Sequence, residues 1–189
     1  PRLANRLPPW DLALVLWTLT QPPFEPIRDE SMELNWITLK TVFLLLLVSG
    51  SRRGEIHSLR SEIEHTVDWK EVTFKPKPGF VSKTELRTQR ASAFKGFTIR
   101  ALSSVVGPDL PADRSLCPIR ALKVYRNRTK DIRGDRQLLF LAYKPGYTED
   151  IKRWGGVSGW VQKLIKRAYK HPNTKACELC NYNTRDIRG

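Results

Sequence analysis

The sequence predicts an α+β fold that is mainly helical and carries a small three-stranded antiparallel sheet. Apolar residues recur at helical spacing before residue 60 and again between residues 118 and 170, whereas short β-favouring runs fall between residues 65 and 102. Of the 189 residues, 40% are hydrophobic, with six Trp and seven Phe, which is enough apolar material for a folded core. A disordered basic tail is therefore excluded, and the length suits a single domain.

The N-terminal part of the chain predicts three helices in succession. The first covers residues 10–19 and stops before a Gln-Pro-Pro cluster. The second starts at Asn35, is apolar on every side and ends at Gly50, so we expect it to be central and buried. The third covers residues 51–59 and has a charged entry.

The segment between His65 and Leu102 predicts the sheet. Its β-favouring residues form short runs that are separated by a Lys-Pro-Lys-Pro-Gly turn and by a long polar stretch. These residues are Val67, Val72, Phe74, Phe80, Val81, Phe97 and Ile99.

Two more helices are predicted after the sheet. Pro118 opens a helix that runs to about Thr129, and a short apolar run at residues 138–142 precedes a Lys-Pro-Gly turn. Residues 157–170 form an amphipathic helix, with an apolar face that includes Trp160. We also expect Trp10, Trp17 and Trp36 in the core. The other face carries Lys163, Lys166, Arg167 and Lys170, which we assign to phosphate contacts, with an ordinary solvated face as the alternative.

The charge of the chain is unevenly distributed. Lys and Arg number 33 against 19 acidic residues, for a net charge of +14. Residues 1–50 carry −1 and residues 51–189 carry +15. A folded surface this basic attracts polyanions through counterion release, so nucleic acid is the first expected partner and an anionic membrane surface the second. A basic protein with neither partner is the remaining alternative.

Signals for membrane insertion or secretion are not found in the sequence. The most apolar stretch, residues 42–48, is shorter than the about 18 to 20 residues of a membrane span. The first nine residues lack the apolar region of a signal peptide, and three Cys do not suggest a disulfide framework. We therefore expect an intracellular protein, and of the two polyanionic partners we expect nucleic acid and no membrane.

Residues 41–59 place three functional residues at a particular spacing. The apolar helix ends at Gly50, Arg52 follows two positions later, and Glu55 three positions after that. An Arg near a helix N-terminus presents a planar bidentate donor to a phosphate. This stretch resembles the first signature of the tyrosine recombinases, or phage integrases. The resemblance makes Arg52 catalytic, Arg53 a DNA contact and Glu55 a structural residue.

The resemblance continues along the chain. The family has its small sheet at this place, and a turn between the second and third strands offers a Lys that protonates the leaving 5′-oxygen. Lys83 is the best match, although Lys75, Lys77 and Lys95 compete for the role. Residues 115–125 are similar to the next helix of the family. Their sequence resembles that of recombinases of eukaryotic mobile elements of the DIRS or crypton type, which would place the protein in the nucleus.

The second family signature, His-x-x-Arg, is matched near the end of the chain. Arg188 takes the place of the second catalytic Arg, and Arg185 stands where a His is usual. Arg185 can still donate to a phosphate oxygen, but it cannot exchange protons near neutral pH. The resemblance therefore assigns Arg185 an assisting phosphate contact.

The resemblance covers about residues 9–189, behind an N-terminal linker of residues 1–8. In the family a Tyr hydroxyl attacks the scissile phosphate and forms a 3′-phosphotyrosyl bond, with no metal or other cofactor. That Tyr lies beyond the second Arg, so we expect no strand cleavage by this chain alone. The implied function is DNA integration and recombination on double-stranded DNA, and the resemblance allows for a homo-oligomer on DNA. A non-catalytic DNA-binding remnant of a mobile-element recombinase is the alternative.

Two weaker alternatives concern other ligands. Cys177 and Cys180 form a lone Cys-x-x-Cys pair, which could hold zinc with His171 or Cys117. A single pair is a weak signal, so we expect no metal. RNA binding is the other alternative, but the sequence contains no glycine-aromatic RNA motif.

Overall fold

The computed structural model describes residues 10–28, 30–82, 94–102, 114–144, 147–150 and 155–170. Within them the chain forms five helices, a three-stranded sheet and a two-stranded sheet, which confirms the α+β class. The helices are α1 (Leu12–Leu19), α2 (Leu34–Ser49), α3 (Arg53–His57), α4 (Pro118–Arg133) and α5 (Gly155–Tyr169). The strands are β1 (Glu64–His65), β2 (Glu71–Phe74), β3 (Phe97–Arg100), β4 (Leu141–Lys144) and β5 (Tyr147–Asp150).

Helix α2 is the centre of the core, as its sequence predicts. Both α4 and α5 pack on it, and α1 packs on α5. Val42, Phe43 and Leu45 are fully buried because a helix that is apolar all round has no solvent-facing side. Its buried hydroxyls are satisfied internally: Thr38 and Thr41 donate to the carbonyls four residues earlier, each at 2.8 Å.

The three-stranded sheet has β2 in the middle, antiparallel to both neighbours. Val72 lies opposite Ile99 and Phe74 opposite Phe97, and the two Phe rings are 4.9 Å apart between centroids. The sheet is thus confirmed, but its strand limits differ from those predicted. Val67 is fully exposed in a turn, and Phe80 and Val81 lie outside any strand. β-Favouring side chains form strands only where a neighbouring strand supplies backbone partners.

The other predicted elements differ from the structure in smaller ways. The Asp11 carboxylate accepts a hydrogen bond from the Leu14 backbone N–H, so α1 begins one residue after Asp11. Trp17 is 40% exposed, so its predicted place in the core is wrong. The apolar run at residues 138–142 enters a hairpin, in which β4 and β5 pair antiparallel.

A buried ion cluster fixes the loop after α1 onto α2 and α4. The Lys40 ammonium donates to the Leu19 carbonyl at 2.7 Å and to the Glu25 carboxylate at 2.5 Å. The Glu25 carboxylate also accepts hydrogen bonds from both terminal guanidinium nitrogens of Arg120, Nη1 and Nη2, at 2.7 and 3.0 Å. Desolvation by burial lowers the pKa of Lys40 to about 8, although Glu25 favours the charged form. Burial alone would raise the pKa of Glu25, but hydrogen bonds from Arg120 and Lys40 hold it below its ordinary value.

Gly96, directly before β3, occupies a position that only glycine fits. Its φ is +101°, and a Cβ built there would lie 1.8 Å from the carbonyl oxygen of Phe74. We expect Gly96→Ala to lower the free energy of unfolding by about 2 to 4 kcal/mol, because strand β2 must move away. Chemical denaturation measures this.

Gly159 supplies the control for that experiment. It lies in the interior of α5, and a Cβ added to it would meet no atom within 4 Å. Gly159→Ala is expected to raise the free energy of unfolding by about 0.5 to 1 kcal/mol, because alanine is the better helix former. Equal stability of Gly96→Ala and the wild-type protein would contradict the steric argument.

Candidate nucleic-acid interface

The segment between α2 and α3 presents two adjacent arginines. Gly50 ends α2 in the left-handed conformation, with φ of +59°, and its N–H donates to the Leu46 carbonyl at 3.1 Å. The Glu55 carboxylate then accepts a hydrogen bond from the Arg52 backbone N–H at 2.6 Å. This contact fixes the start of α3, so the backbone that carries Arg52 is held at both ends. We call residues 50–53 the Arg52 turn.

The side chains of the Arg52 turn are partly exposed. Among the described residues, no carboxylate lies within ion-pair distance of the Arg52 guanidinium. The Arg53 guanidinium donates to the Ser158 hydroxyl of α5 at 2.5 Å. This contact joins two segments that are 105 positions apart in the chain. It places the Arg52 turn beside the N-terminal half of α5.

Helix α5 has the two faces that its sequence predicts. Its apolar face is buried against the core through Val157, Val161, Leu164, Ile165 and Ala168. Its opposite face exposes Lys163, Lys166 and Arg167, and Lys170 is exposed directly after its last turn; we call these four residues the basic stripe. The spacing of three, four and seven residues puts these four side chains on one side of the helix. The far end of α5 is anchored by Tyr169, whose hydroxyl accepts from the Asp11 backbone N–H at 2.7 Å.

Trp36 of α2 supports part of the basic stripe. The Lys163 ammonium lies 5.3 Å from its ring centroid, and the Arg167 guanidinium carbon lies 5.5 Å from it. The Trp36 ring is itself held edge-on by Phe24, with centroids 5.5 Å apart. Such cation–π contacts stabilise by about 0.5 to 1 kcal/mol at exposed sites. They limit the freedom of two of the four cations and leave their charge directed at solvent.

The structure places some of the predicted site residues and not others. Arg52, Arg53 and Glu55 lie in or next to the Arg52 turn, and the basic stripe lies on the helix that Arg53 contacts. Lys83, Arg185 and Arg188 fall outside the described residues. The catalytic roles that the resemblance assigns to these three residues therefore stay predictions.

Sequence reasoning did not identify two residues of this interface. Ser158 carries no signal in the sequence, because its part depends on a guanidinium from a distant segment. The sequence predicts Trp36 only as a core residue, yet it also holds two stripe cations. A tryptophan near the end of an otherwise aliphatic helix is the signal that could have indicated a cation–π contact in addition to core packing.

The comparisons with known proteins add no family. The chain matches no protein-family model, no curated protein and no solved structure. The assignment of this surface as a candidate nucleic-acid interface therefore rests on its geometry and on the resemblance of the short motifs.

The described part of the chain gives little support for a metal site or a membrane span. No group of three or more His, Cys, Asp or Glu there is arranged to hold a metal ion. Cys117 is buried beside the first turn of α4, while Cys177, Cys180 and His171 fall outside the described residues. None of the described helices is both long and apolar enough to cross a membrane.

Proposed function

We propose that the Arg52 turn and the basic stripe together bind the phosphate backbone of double-stranded DNA, as part of the catalytic domain of a tyrosine recombinase. The observation that carries the proposal is the hydrogen bond from Arg53 to Ser158, which joins the Arg52 turn to the N-terminal part of the helix that carries the basic stripe. A duplex carries one negative charge per about 1.7 Å of its axis, so cations spread along both segments can each meet a phosphate.

The recombinase part of the proposal assigns roles to these residues. Arg52 would hold the non-bridging oxygens of the scissile phosphate, because a guanidinium donates two parallel hydrogen bonds to such a group. Its neighbour Glu55 fixes the backbone rather than the guanidinium, through the hydrogen bond from the Arg52 N–H. The basic stripe would hold the flanking backbone. In the proposed site, Lys83 protonates the leaving oxygen, and Arg185 and Arg188 complete the phosphate contacts.

Binding to duplex DNA over a range of salt concentrations tests the DNA partner. Contacts from the four stripe cations and Arg52 predict that log Kobs falls with log salt with a slope of about −4 to −5. Fluorescence anisotropy with a labelled 20-bp duplex measures this slope. Phosphatidylserine vesicles serve as the comparison, and tighter binding to the vesicles than to the duplex would contradict the proposal.

A nicked-site substrate tests the recombinase assignment separately. Such a substrate traps a phosphotyrosyl enzyme, because the short leaving strand diffuses away after attack. The assay uses the natural protein at its full length. A covalent protein–DNA adduct that is lost in Arg52→Ala supports a recombinase. Duplex binding without an adduct would instead favour the non-catalytic remnant.

A further inference from the structure

Helix α5 lies between two groups of cations. Its Ser158 accepts a hydrogen bond from Arg53, and its Arg167 lies over the Trp36 ring. Ser158 and Arg167 are nine residues apart, which is about two and a half turns, so they lie on opposite sides of the helix. The Arg52 turn is therefore on one side of α5, and the cations held by Trp36 are on the other.

Helix α2 explains how both sides of α5 are reached. It packs on α5, with Trp36 in its first turn and the Arg52 turn directly after its last residue. Its 16 residues extend for about 24 Å, whereas a helix with its side chains is about 10 to 12 Å across. Helix α2 is thus long enough to cross α5 and to place one cation group at each of its own ends.

Lys166 lies on the exposed side of α5, between the two cation groups. It follows Ser158 by eight residues and precedes Arg167 by one, so it is about 80° from the first and about 100° from the second around the helix axis. The opposite side of the helix, at Leu164 and Ala168, is fully buried. Lys166 is therefore at the middle of the side that faces solvent.

The surroundings of Lys166 leave its ammonium open to a ligand. The helix contains no Asp or Glu, and no carboxylate among the described residues lies within ion-pair distance of Lys166. Lys163 and Arg167, in contrast, lie over the Trp36 ring at 5.3 and 5.5 Å. In the described part of the chain, Lys166 is the cation of α5 that neither a carboxylate nor an aromatic ring holds.

The exposed side of α5 and its flanking cations match the major groove of duplex DNA. That groove is about 12 Å wide and admits an α-helix. With α5 in the groove, the two cation groups face the phosphates of opposite strands, and Lys166 faces the base edges. Gly159, seven residues before Lys166, is exposed on the same side, and a Cβ built there would meet no atom within 4 Å. Because it has no side chain, it allows this part of the helix to approach the bases closely.

We propose that Lys166 reads a guanine in the major groove, by donating hydrogen bonds from its ammonium to O6 and N7 of the base. This role rests on the proposed binding of duplex DNA and adds a sequence preference to it. Arg52 holds one phosphate backbone, and Lys163 and Arg167 hold the other. On a duplex that lacks the preferred base, Lys166 contacts a phosphate instead, so it still releases a counterion.

Selection from duplexes with a randomised central segment tests this role. Sequencing of the bound fraction should show guanine favoured about tenfold over each other base at one position, and Lys166→Ala should abolish that preference. Lys163→Ala is the matched control, because it removes the same charge from the same side of the same helix. It should weaken binding to every sequence about eightfold at 0.1 M salt and keep the guanine preference.

Two further exchanges at Lys166 test the hydrogen-bonding pattern. Lys166→Arg should keep the guanine preference, because a guanidinium also bonds O6 and N7, whereas Lys166→Gln should shift it to adenine, whose N6 and N7 match an amide. A guanine preference that persists in Lys166→Ala, or bound duplexes with no preferred base, would overturn the role of Lys166 and leave the DNA partner in place. Absence of duplex binding at every salt concentration would overturn both proposals.

Discussion

Replacing all four cations of the basic stripe with alanine is expected to lower the affinity for duplex DNA on the order of 10³-fold at 0.1 M salt. Each phosphate contact that releases a counterion contributes about eightfold at this salt concentration, and the four contributions multiply. The slope of log Kobs against log salt should become shallower by about 3 to 4. Alanine preserves the helix because it is the best helix former. Fluorescence anisotropy with a labelled duplex measures both quantities.

A pair of matched double variants separates the stripe from general basicity. Lys163 of α5 and Lys170, directly after it, are seven residues apart and exposed, as are Lys123 and Lys130 of α4. In each pair the first lysine lies near a tryptophan ring, at 5.3 Å from Trp36 and 5.5 Å from Trp69. Alanine at the α5 pair should weaken duplex binding about 50-fold, and alanine at the α4 pair should change it less than about threefold. Equal losses would show that net charge alone draws the DNA.

Glu25→Gln is expected to lower the free energy of unfolding by about 3 to 5 kcal/mol, because it leaves a buried ammonium without its anion. Lys40 has a side chain that is 1% exposed, and its closest charged partner is the Glu25 carboxylate. Arg120 would lose its anionic partner and one of its two hydrogen bonds to this side chain, because the glutamine amide keeps a single acceptor oxygen. Urea denaturation measures the change.

Glu62→Gln provides the control for this substitution. Glu62 also pairs with an arginine, Arg60, but its side chain is 78% exposed. An exposed pair of this kind contributes about 0 to 1 kcal/mol, so the control should stay close to the wild-type protein. If Glu25→Gln were equally mild, the buried ion cluster would not be what holds the loop after α1.

The pH dependence gives this prediction a second measurement. In the unfolded chain Lys40 titrates at its ordinary 10.5, whereas in the folded protein its pKa is about 8. Stability therefore rises with pH above the folded value, because the unfolded state then binds more protons. Without Glu25 the folded pKa falls further, so the rise begins at lower pH. The difference in free energy of unfolding between the wild-type protein and Glu25→Gln should therefore shrink between pH 6 and pH 9. A difference that grows over this range would contradict the argument.

The helices show how much the sequence predicted. The run of apolar residues before Gly50 predicted a buried central helix, and α2 ends there because glycine accepts the left-handed conformation. The amphipathic pattern of residues 157–170 predicted both faces of α5. These successes share a cause: helical hydrogen bonds are local, so the spacing of side chains along one segment decides which face is buried.

The sheet and the buried charges show where the sequence was insufficient. β1 forms at Glu64–His65, which lie opposite Thr73 and Val72 of β2, whereas Val67, a stronger strand former, lies in the turn between the two strands. Lys40 stands out in the sequence as a lone charge in an apolar helix. Its partners, Glu25 and Arg120, lie on separate segments that only folding brings together.

For this protein the sequence by itself determined the helices, the presence of a small sheet, the basic excess after Gly50 and the spacing of Gly50, Arg52 and Glu55. The tertiary structure decided that the Arg52 turn lies against α5 through Arg53 and Ser158, and that Trp36 supports two stripe cations. It also decided that cations lie on both sides of Lys166. The division has a physical reason. Periodicity and charge are properties of a single segment, whereas a site requires side chains whose distance depends on how several segments pack.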